Sequence, residues 1–419
     1  MKVFMQRGKI YGLKKQIKES EFYLKEALNI LKLLNKDETT KFEYEKDIYM
    51  IYADINRMNV DFKKCNYYLK KVRIIVTKIN KPETTALFLL NYGLMFKNFK
   101  KINESTKYFT ESKKIALENN LSNLLPSIEE SIAGNYLFTG NYYKAKKIFE
   151  QIVKDEFYSD QPYHQALLYA KLADTNHLLG NLTNSIKLYN HSLNILGKNI
   201  ELKVFLQLHT IVSANKAFSL IKMGKLNEAK EIYADKLKIS KLNNFKEQVL
   251  ENLANLSLTL VDMNNIKVSE KYLKELNIML KNIENPSVKY RYYLAYGMIY
   301  TSKKLYSTAK KYFNKSIKES EKAGSNNSSK IRCLFELANL YIKINDFKNA
   351  KNTIKIILNS FIRQEHPSMF FHADLLMIKT HFFSKNNKEN YREYLLKSER
   401  NLILSEEQNY IIKREIKLL

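Results

Sequence analysis

Few side chains in this sequence could perform acid–base, nucleophilic or metal chemistry, and their spacing does not favour catalysis. His366 and His372 are six residues apart and His381 follows nine residues later, so neither interval places two imidazoles on one helix face at ligand spacing. Cys65 and Cys333 are far apart and form neither a CxxC pair nor a disulfide framework. Glycine-rich phosphate loops and the HExxH and GxSxG motifs are missing from the sequence. We therefore predict a protein that is not an enzyme and has no cofactor or metal.

Amide side chains are better candidates for function, because an asparagine offers a peptide backbone both a hydrogen-bond donor and an acceptor. A small residue recurs along the chain, and polar and aromatic residues flank it at fixed offsets. The candidates are Asn91, Asn215 and Asn255, two residues before the small residue, and Asp174, Phe218 and Asn339, one residue after it. The simpler interpretation stays open, because asparagine is abundant here and is often a solvated helix residue.

The recurring small residue, called the marker below, has a period near 40 residues. A fixed period of this length is typical of stacked supersecondary units. The markers are Gly8, Ala53, Gly93, Ala133, Ala173, Ala217, Ser257, Gly297 and Ala338.

Each marker is followed at fixed distances by a second small residue and a larger apolar one. In the fifth repeat these are Ser185 and Tyr189, twelve and sixteen residues after Ala173. Gly180 lies between them and suits the left-handed conformation that ends a helix. Apolar residues three, four and seven apart share one helix face. The pattern therefore predicts two antiparallel helices in each repeat, joined by a tight turn.

These positions resemble the tetratricopeptide repeat, whose pattern is W-x2-L-G-x2-Y…A-x3-F…P. The chain matches it at Tyr92-Gly93-x2-Phe96…Ser105-x3-Phe109 and at Tyr296-Gly297-x2-Tyr300…Ala309-x3-Phe313, although tryptophan is absent and the repeat exceeds 34 residues. Longer repeats of this kind are similar to those of Gram-positive peptide-pheromone receptors and of the sensor arms of maltose-type transcription activators. The resemblance implies an all-α fold, a right-handed α-solenoid of about nine to ten antiparallel helix pairs. It also implies that asparagines on the inner face, which the first helices line, hold a bound peptide.

Beyond Phe370 the repeat pattern weakens, and Tyr391 replaces the second small residue. Terminal repeats are expected to be atypical. We predict a helical repeat array over residues 1–380, followed by a degenerate last repeat and a C-terminal capping helix over residues 381–419. Ser405 is the predicted N-cap of that helix. The first repeat is already in register at residue 1, which leaves open a truncated reading frame or one half of a split regulator.

The chain carries a formal net charge of +27, from 70 lysines and arginines against 43 acidic residues. Such an excess attracts nucleic acid, anionic lipid or acidic proteins. An A·T-rich genome gives the same composition, and the lysines here are spread along every segment rather than clustered. The basic N-terminus does not fit a signal peptide, and no run of 18 uncharged apolar residues occurs, so we expect a cytoplasmic protein that does not enter a membrane.

The sequence therefore predicts a non-catalytic solenoid that binds a peptide or protein segment on its concave face, in cytoplasmic signalling or as a scaffold. Two alternatives stay open. The chain is the sensor part of a transcriptional regulator whose DNA-binding domain is missing or separate, or it binds nucleic acid directly through its positive charge. The oligomeric state and the identity of the partner are left open.

Overall fold

A computed structural model describes residues 1–323, 328–360, 367–401 and 404–419. Within these ranges the chain forms 21 helices and no strand. The predicted all-α class and repeat solenoid are confirmed, with ten successive helix pairs and one final helix. The chain divides into two compact units, unit 1 (Met1–Ile148) and unit 2 (Phe149–Leu419).

Unit 1 contains three complete helix pairs and the first helix of a fourth pair. The second helix of that pair, α8, begins in unit 1 and ends in unit 2. The helices are α1 (Lys2–Leu13), α2 (Ile17–Leu33), α3 (Glu38–Met58), α4 (Phe62–Ile79), α5 (Pro82–Asn98), α6 (Ile102–Glu118), α7 (Leu125–Phe138) and α8 (Tyr142–Lys154).

Unit 2 contains six further helix pairs and a single helix at its end. Odd-numbered helices from α9 to α19 are the first helices of their pairs. The helices are α9 (Pro162–Leu178), α10 (Leu182–Gly197), α11 (Lys203–Lys222), α12 (Leu226–Leu242), α13 (Lys246–Asp262), α14 (Ile266–Leu280), α15 (Pro286–Ser302), α16 (Tyr306–Lys322), α17 (Ser328–Lys343), α18 (Phe347–Leu358), α19 (Pro367–Ser384), α20 (Lys388–Asn401) and α21 (Glu406–Leu418).

The two helices of a pair meet at the marker. All nine markers are buried, and so are the small and large residues twelve and sixteen positions later. A Cβ atom added at Gly93 would lie 2.5 Å from the Phe109 ring, which is too close for any side chain. The Ser185 hydroxyl also donates a hydrogen bond to the Ala173 carbonyl at 2.8 Å. The backbones of the two helices therefore approach closely at the marker, and hydrogen bonding reinforces the contact.

The turn inside each pair has one backbone signature. The residue seven positions after the marker is left-handed, with φ of 84° at Gly140, 81° at Gly180 and 78° at Gly224. The next residue donates back across the turn, as in Asn181 N to Asn176 O at 2.9 Å, which satisfies a carbonyl at the helix end. The same left-handed conformation occurs in the other repeats at Lys15, Val60, Lys100, Asn264, Lys304, Asn345 and Asn386.

The buried cores follow the repeats. In unit 2 the largest core extends from Ala217 on α11 to Leu376 on α19. By length and composition alone, α11 is the one described helix that could cross a membrane. Its buried residues Leu208 and Val212 belong to the core formed with α9 and α10, and a core helix passes the same test. We therefore treat α11 as a repeat helix.

The C-terminal segment forms a last pair, α19 and α20, and the additional helix α21. Asn386 has the left-handed turn conformation, which places Lys379 at the marker position of this pair. Tyr391 and Leu395 follow it at the two expected distances and are fully buried. The boundary predicted at residue 380 falls within α19, and that division into two domains stays a prediction. Ser405 caps α21, because its hydroxyl accepts from Gln408 N at 3.3 Å.

The marker contact makes a stability prediction. In Gly297→Ala the new Cβ would lie 2.5 Å from the Phe313 ring, so we expect the free energy of unfolding to fall by about 1–3 kcal/mol. Gly197→Ala is the matched control, because nothing lies within 4 Å of its Cβ position on α10. Urea denaturation followed by circular dichroism measures both. Equal stability of the two variants would contradict the assigned helix contact.

Candidate functional site

The six predicted site residues lie on first helices in both units. Asn91 is on α5 in unit 1 and is exposed. In unit 2, Asp174 is on α9, and Asn215 and Phe218 are on α11. The remaining two, Asn255 on α13 and Asn339 on α17, are half-buried, and among the described residues no hydrogen bond joins them to Asp174 or Asn215.

Unit 1 has a cavity of about 270 Å³ between the first helices α3 and α5. Its lining includes the positions that the repeat pattern assigns to the inner face: three residues before, two before and one after the marker. Asn91 is one of them. The lining residues are Met50, Ala53, Asp54, Arg57, Cys65, Leu69, Asn91, Leu94, Met95 and Asn98.

The rim of this cavity is polar and its floor is apolar. Arg57 forms an ion pair with Asp54 at 3.2 Å, and the side chains are 37% and 58% exposed. Asn91 donates one amide hydrogen to the Leu87 carbonyl in its own helix at 2.9 Å. That bond leaves the amide oxygen and the second amide N–H of Asn91 unused. Asn91 therefore keeps a donor and an acceptor for a ligand.

The thiol in the floor of the cavity is not a nucleophile. Burial raises the pKa of Cys65 to about 12, so the thiolate is scarce at neutral pH. Cys65 occupies the small position of the second helix and is 1% exposed. Its role in the cavity is to pack, which fits the sequence-based interpretation.

In unit 2 a hydrogen bond joins two of the predicted site residues directly. Asn215 Nδ2 on α11 donates to Asp174 Oδ1 on α9 at 3.1 Å, and the Tyr189 hydroxyl donates to the same oxygen. Burial raises the pKa of Asp174 to about 6, against the lowering effect of these two hydrogen bonds. The carboxylate links consecutive first helices, so Asn215 has already used one of its donors within the protein.

Phe218, the third predicted residue in this part of unit 2, forms an aromatic contact with His177. Its ring is 41% exposed and stacks on His177 with 5.0 Å between centroids. His177 Nδ1 is hydrogen-bonded to the Ser219 hydroxyl at 2.7 Å. Burial, followed by the charge of Lys222, lowers the pKa of His177, so its ring is neutral at physiological pH. The ring therefore orients Phe218 rather than carrying charge.

The sequence interpretation missed Arg57 and Asn98, which share the cavity with Asn91. They lie four and five residues after their markers, Ala53 and Gly93, one helical turn beyond the inner positions that were considered. Following the inner-face positions one helical turn further along each first helix would have found them. Within the described ranges, no group of three or more His, Cys, Asp or Glu residues could hold a metal ion.

Comparisons with known proteins agree with this geometry. The tetratricopeptide-repeat family model matches residues 2–30 and 290–322. No curated protein matches the chain. Among solved structures, the apo form of the quorum sensor NprR from B. thuringiensis has a TM-score of 0.59 and 14% identity, covering 85% of this chain and 97% of that one.

Two complexes resemble the chain in the same way. NprR with its cognate peptide NprX has a TM-score of 0.52 and 15% identity, covering 85% of this chain and 98% of its own. A Rap protein complexed with competence and sporulation factor has a TM-score of 0.51 and 9% identity, covering 84% and 98%. At these identities the likeness concerns the fold alone.

The fold and its inner face define a helical-repeat protein of the solenoid class. Two segments of the chain match the tetratricopeptide-repeat model, and the chain resembles the NprR and Rap structures in fold.

The half-buried carboxyl of Asp174 makes a pH-dependent prediction. Its folded pKa of about 6 lies above the ordinary value of 3.8, so its contribution to stability is complete below about pH 4 and is lost as pH rises through 6. Asp174→Asn cannot ionise, and we expect it to be more stable than the wild type by about 2 kcal/mol at about pH 8 and by little at about pH 4.

Urea denaturation at the two pH values measures this difference. Asp54→Asn is the control, because Asp54 has the same repeat position in unit 1 but an exposed side chain. A stability difference for Asp174→Asn that does not change with pH would contradict the burial of this carboxyl.

Proposed function

We propose that this chain is a non-catalytic binding protein that holds a peptide or protein segment on the face formed by its first helices. We further propose that it acts in the cytoplasm, in signalling or as a scaffold. The observation that carries the proposal is the cavity in unit 1, where Asn91, Asp54 and Arg57 surround an apolar floor.

The chemistry of this cavity suits a side chain of a bound segment. Its volume of about 270 Å³ is below that of most drug-sized pockets, so it accommodates a side chain while the rest of the segment lies along the helices. Met50, Leu69 and Met95 provide apolar contact, and methionine adapts to irregular shapes. The amides of Asn91 and Asn98 are placed to hydrogen-bond a peptide backbone.

The resemblance to solved receptors supports a peptide as the ligand. NprR was solved with its cognate peptide NprX, and a Rap protein with competence and sporulation factor. This support is an analogy between folds. The unit 1 cavity adds an argument from this chain's own residues.

A second candidate function is binding of nucleic acid, which one surface of unit 2 favours. Helix α16 presents four exposed lysines beside a shallow cavity of about 480 Å³. Lys310 lies over the Tyr341 ring at 5.1 Å, and Lys315 lies over Tyr312 at 5.5 Å. Basic groups interleaved with aromatic rings are common in single-strand binding proteins. The cavity is lined by Ser307, Lys310, Lys311, Asn314, Lys315 and Lys318.

The peptide proposal predicts the effect of two substitutions. Peptides selected from a phage-displayed library of random linear sequences against the full chain should bind Asn91→Ala/Arg57→Glu at least about tenfold more weakly, because a backbone partner and a charge are lost. Isothermal calorimetry with one selected peptide measures the change.

Asn119→Ala is the matched control. Asn119 makes the same bond to its own helix, donating to the Ile115 carbonyl at 2.9 Å, but it lies at the end of the second helix α6. We expect it to bind the peptide as the wild type does. Equal affinity of the double variant, the control and the wild type would exclude the unit 1 cavity as the binding site.

Salt dependence distinguishes the peptide proposal from the nucleic-acid alternative. We expect affinity for a single-stranded DNA of about 30 nucleotides to fall at least about tenfold between about 50 and 200 mM salt, as non-specific phosphate contacts require. Peptide affinity should change by less than about threefold. A DNA complex that has this salt dependence, is lost in Lys311→Glu/Lys315→Glu and is tighter than any selected peptide complex at about 50 mM salt would favour the nucleic-acid alternative.

A further inference from the structure

The last helix of unit 2, α21, packs against first helices that are distant from it in sequence. Glu407 in its first turn forms an ion pair with Lys222 of α11 at 3.2 Å. The ring of Tyr410 lies on Gly224, where an added Cβ would be 2.3 Å from Tyr410 Cε2. Near its other end, Glu415 pairs with Lys379 of α19 at 2.6 Å. The helix therefore reaches from the sixth to the tenth repeat.

Charges on α13 and α17 also influence α21. Burial raises the pKa of Glu336 on α17, and the charge of Arg414 on α21 is the largest influence opposing that rise. Arg332 of α17 forms an ion pair with Asp262 of α13 at 3.0 Å. The charge of Asp262 also raises the pKa of Arg414, after that of Glu336. Arg414 therefore interacts electrostatically with acidic residues of two further repeats.

The residues that face α21 occupy inner-face positions of their repeats. Glu336 lies two residues before the marker Ala338, which is the position of Asn91 in its repeat. Lys222 and Asp262 lie five residues after their markers, which is the position of Asn98. In unit 1 the Asn91 and Asn98 positions line an open cavity. In unit 2 the Lys222 position forms an ion pair with a helix of the same chain.

The two sides of α21 differ in character. Ile412 is fully buried in an apolar cluster with Leu375, Tyr391 and Leu395 of α19 and α20. On another side, Glu407 pairs with Lys222 of α11, and the Tyr410 ring meets Gly224 in the turn that follows α11. Asn409 Oδ1 is buried without a hydrogen-bond partner among the described residues, which costs free energy. A polar and imperfectly satisfied contact separates more readily than an apolar core.

We propose that α21 is a ligand-like segment that occupies the inner face of unit 2, and that an amphipathic helix of another protein binds there by displacing it. The helix that fits presents a carboxylate toward Lys222 and an aromatic ring toward Gly224. This inference rests on the proposed function in assigning binding to the first-helix face, and it concerns unit 2 rather than unit 1. Binding of such a helix is then opposed by a tethered competitor, whose effective concentration is in the millimolar range.

The test uses a synthetic fluorescein-labelled peptide with the sequence of residues 404–419 and the full-length chain. Wild-type protein should bind it weakly, because α21 already occupies the face. Glu407→Lys places two positive charges together and weakens the contact of α21 without changing the face, so the native peptide should bind this variant at least about tenfold more tightly. Fluorescence anisotropy gives the dissociation constants, and circular dichroism reports whether the variant keeps its helix content.

The second part of the test reverses the charges of Lys222 and Glu407. Lys222→Glu should bind tightly the peptide that carries the Glu407→Lys change, because its own α21 is repelled. The double variant Lys222→Glu/Glu407→Lys restores attraction within the chain and should bind that same peptide as weakly as the wild type binds the native one. Lys417→Ala, at an exposed position of α21, is the control and should behave as the wild type.

Either of two other results in this peptide-binding test would contradict the inference. If Glu407→Lys is less stable and gains no peptide binding, α21 is a structural cap. If all variants bind the peptide equally, the face is not occupied by α21. Selected peptides that depend on Asn91 and Arg57 test the proposed function separately, so either idea can fail while the other stands.

Discussion

The close contact between the marker and the large residue of the second helix determines most of this structure. Gly297 leaves room for the Phe313 ring, and where the second small residue is serine its hydroxyl can also bond the marker carbonyl, as Ser269 does to Ser257 at 2.9 Å. Both interactions need a small residue at one rotational position of the first helix. Its rotation is therefore fixed, and so is the set of residues that faces away from its partner.

This fixed rotation explains why the same offsets reach the inner face in every repeat. At about 100° per residue, positions two before, one after and five after the marker lie within about 60° of one another. Asn91, Leu94 and Asn98 occupy these offsets on α5 and line one cavity. Lys222 occupies one of them in unit 2 and pairs with Glu407 of α21. One geometric rule thus produces an open surface in one unit and a covered surface in the other.

The repeat pattern predicted the helix pairs, the buried markers and the left-handed turns at Gly140, Gly180 and Gly224, because each depends on contacts within about 20 residues of sequence. It assigned certain offsets to an inner face but could not foresee how the side chains there are used. Asn215 bonds Asp174 from 41 residues away, and Arg57 and Asn98 were overlooked. Nor could it reveal that α21 meets Lys222, 185 residues earlier, because that contact leaves no periodic signal.

The position of Lys379 connects the end of the repeat pattern to the docking of α21. Nine repeats have a small residue at the marker, where close approach of two helices is required. The tenth has a lysine, whose side chain is 12% exposed and pairs with Glu415. A buried charge needs its partner, because an unpaired one is strongly unfavourable. The tenth repeat is therefore completed by α21, which accounts for firm attachment at this end. The Glu407 end has a more exposed ion pair and an aromatic contact, and release of α21 should begin there.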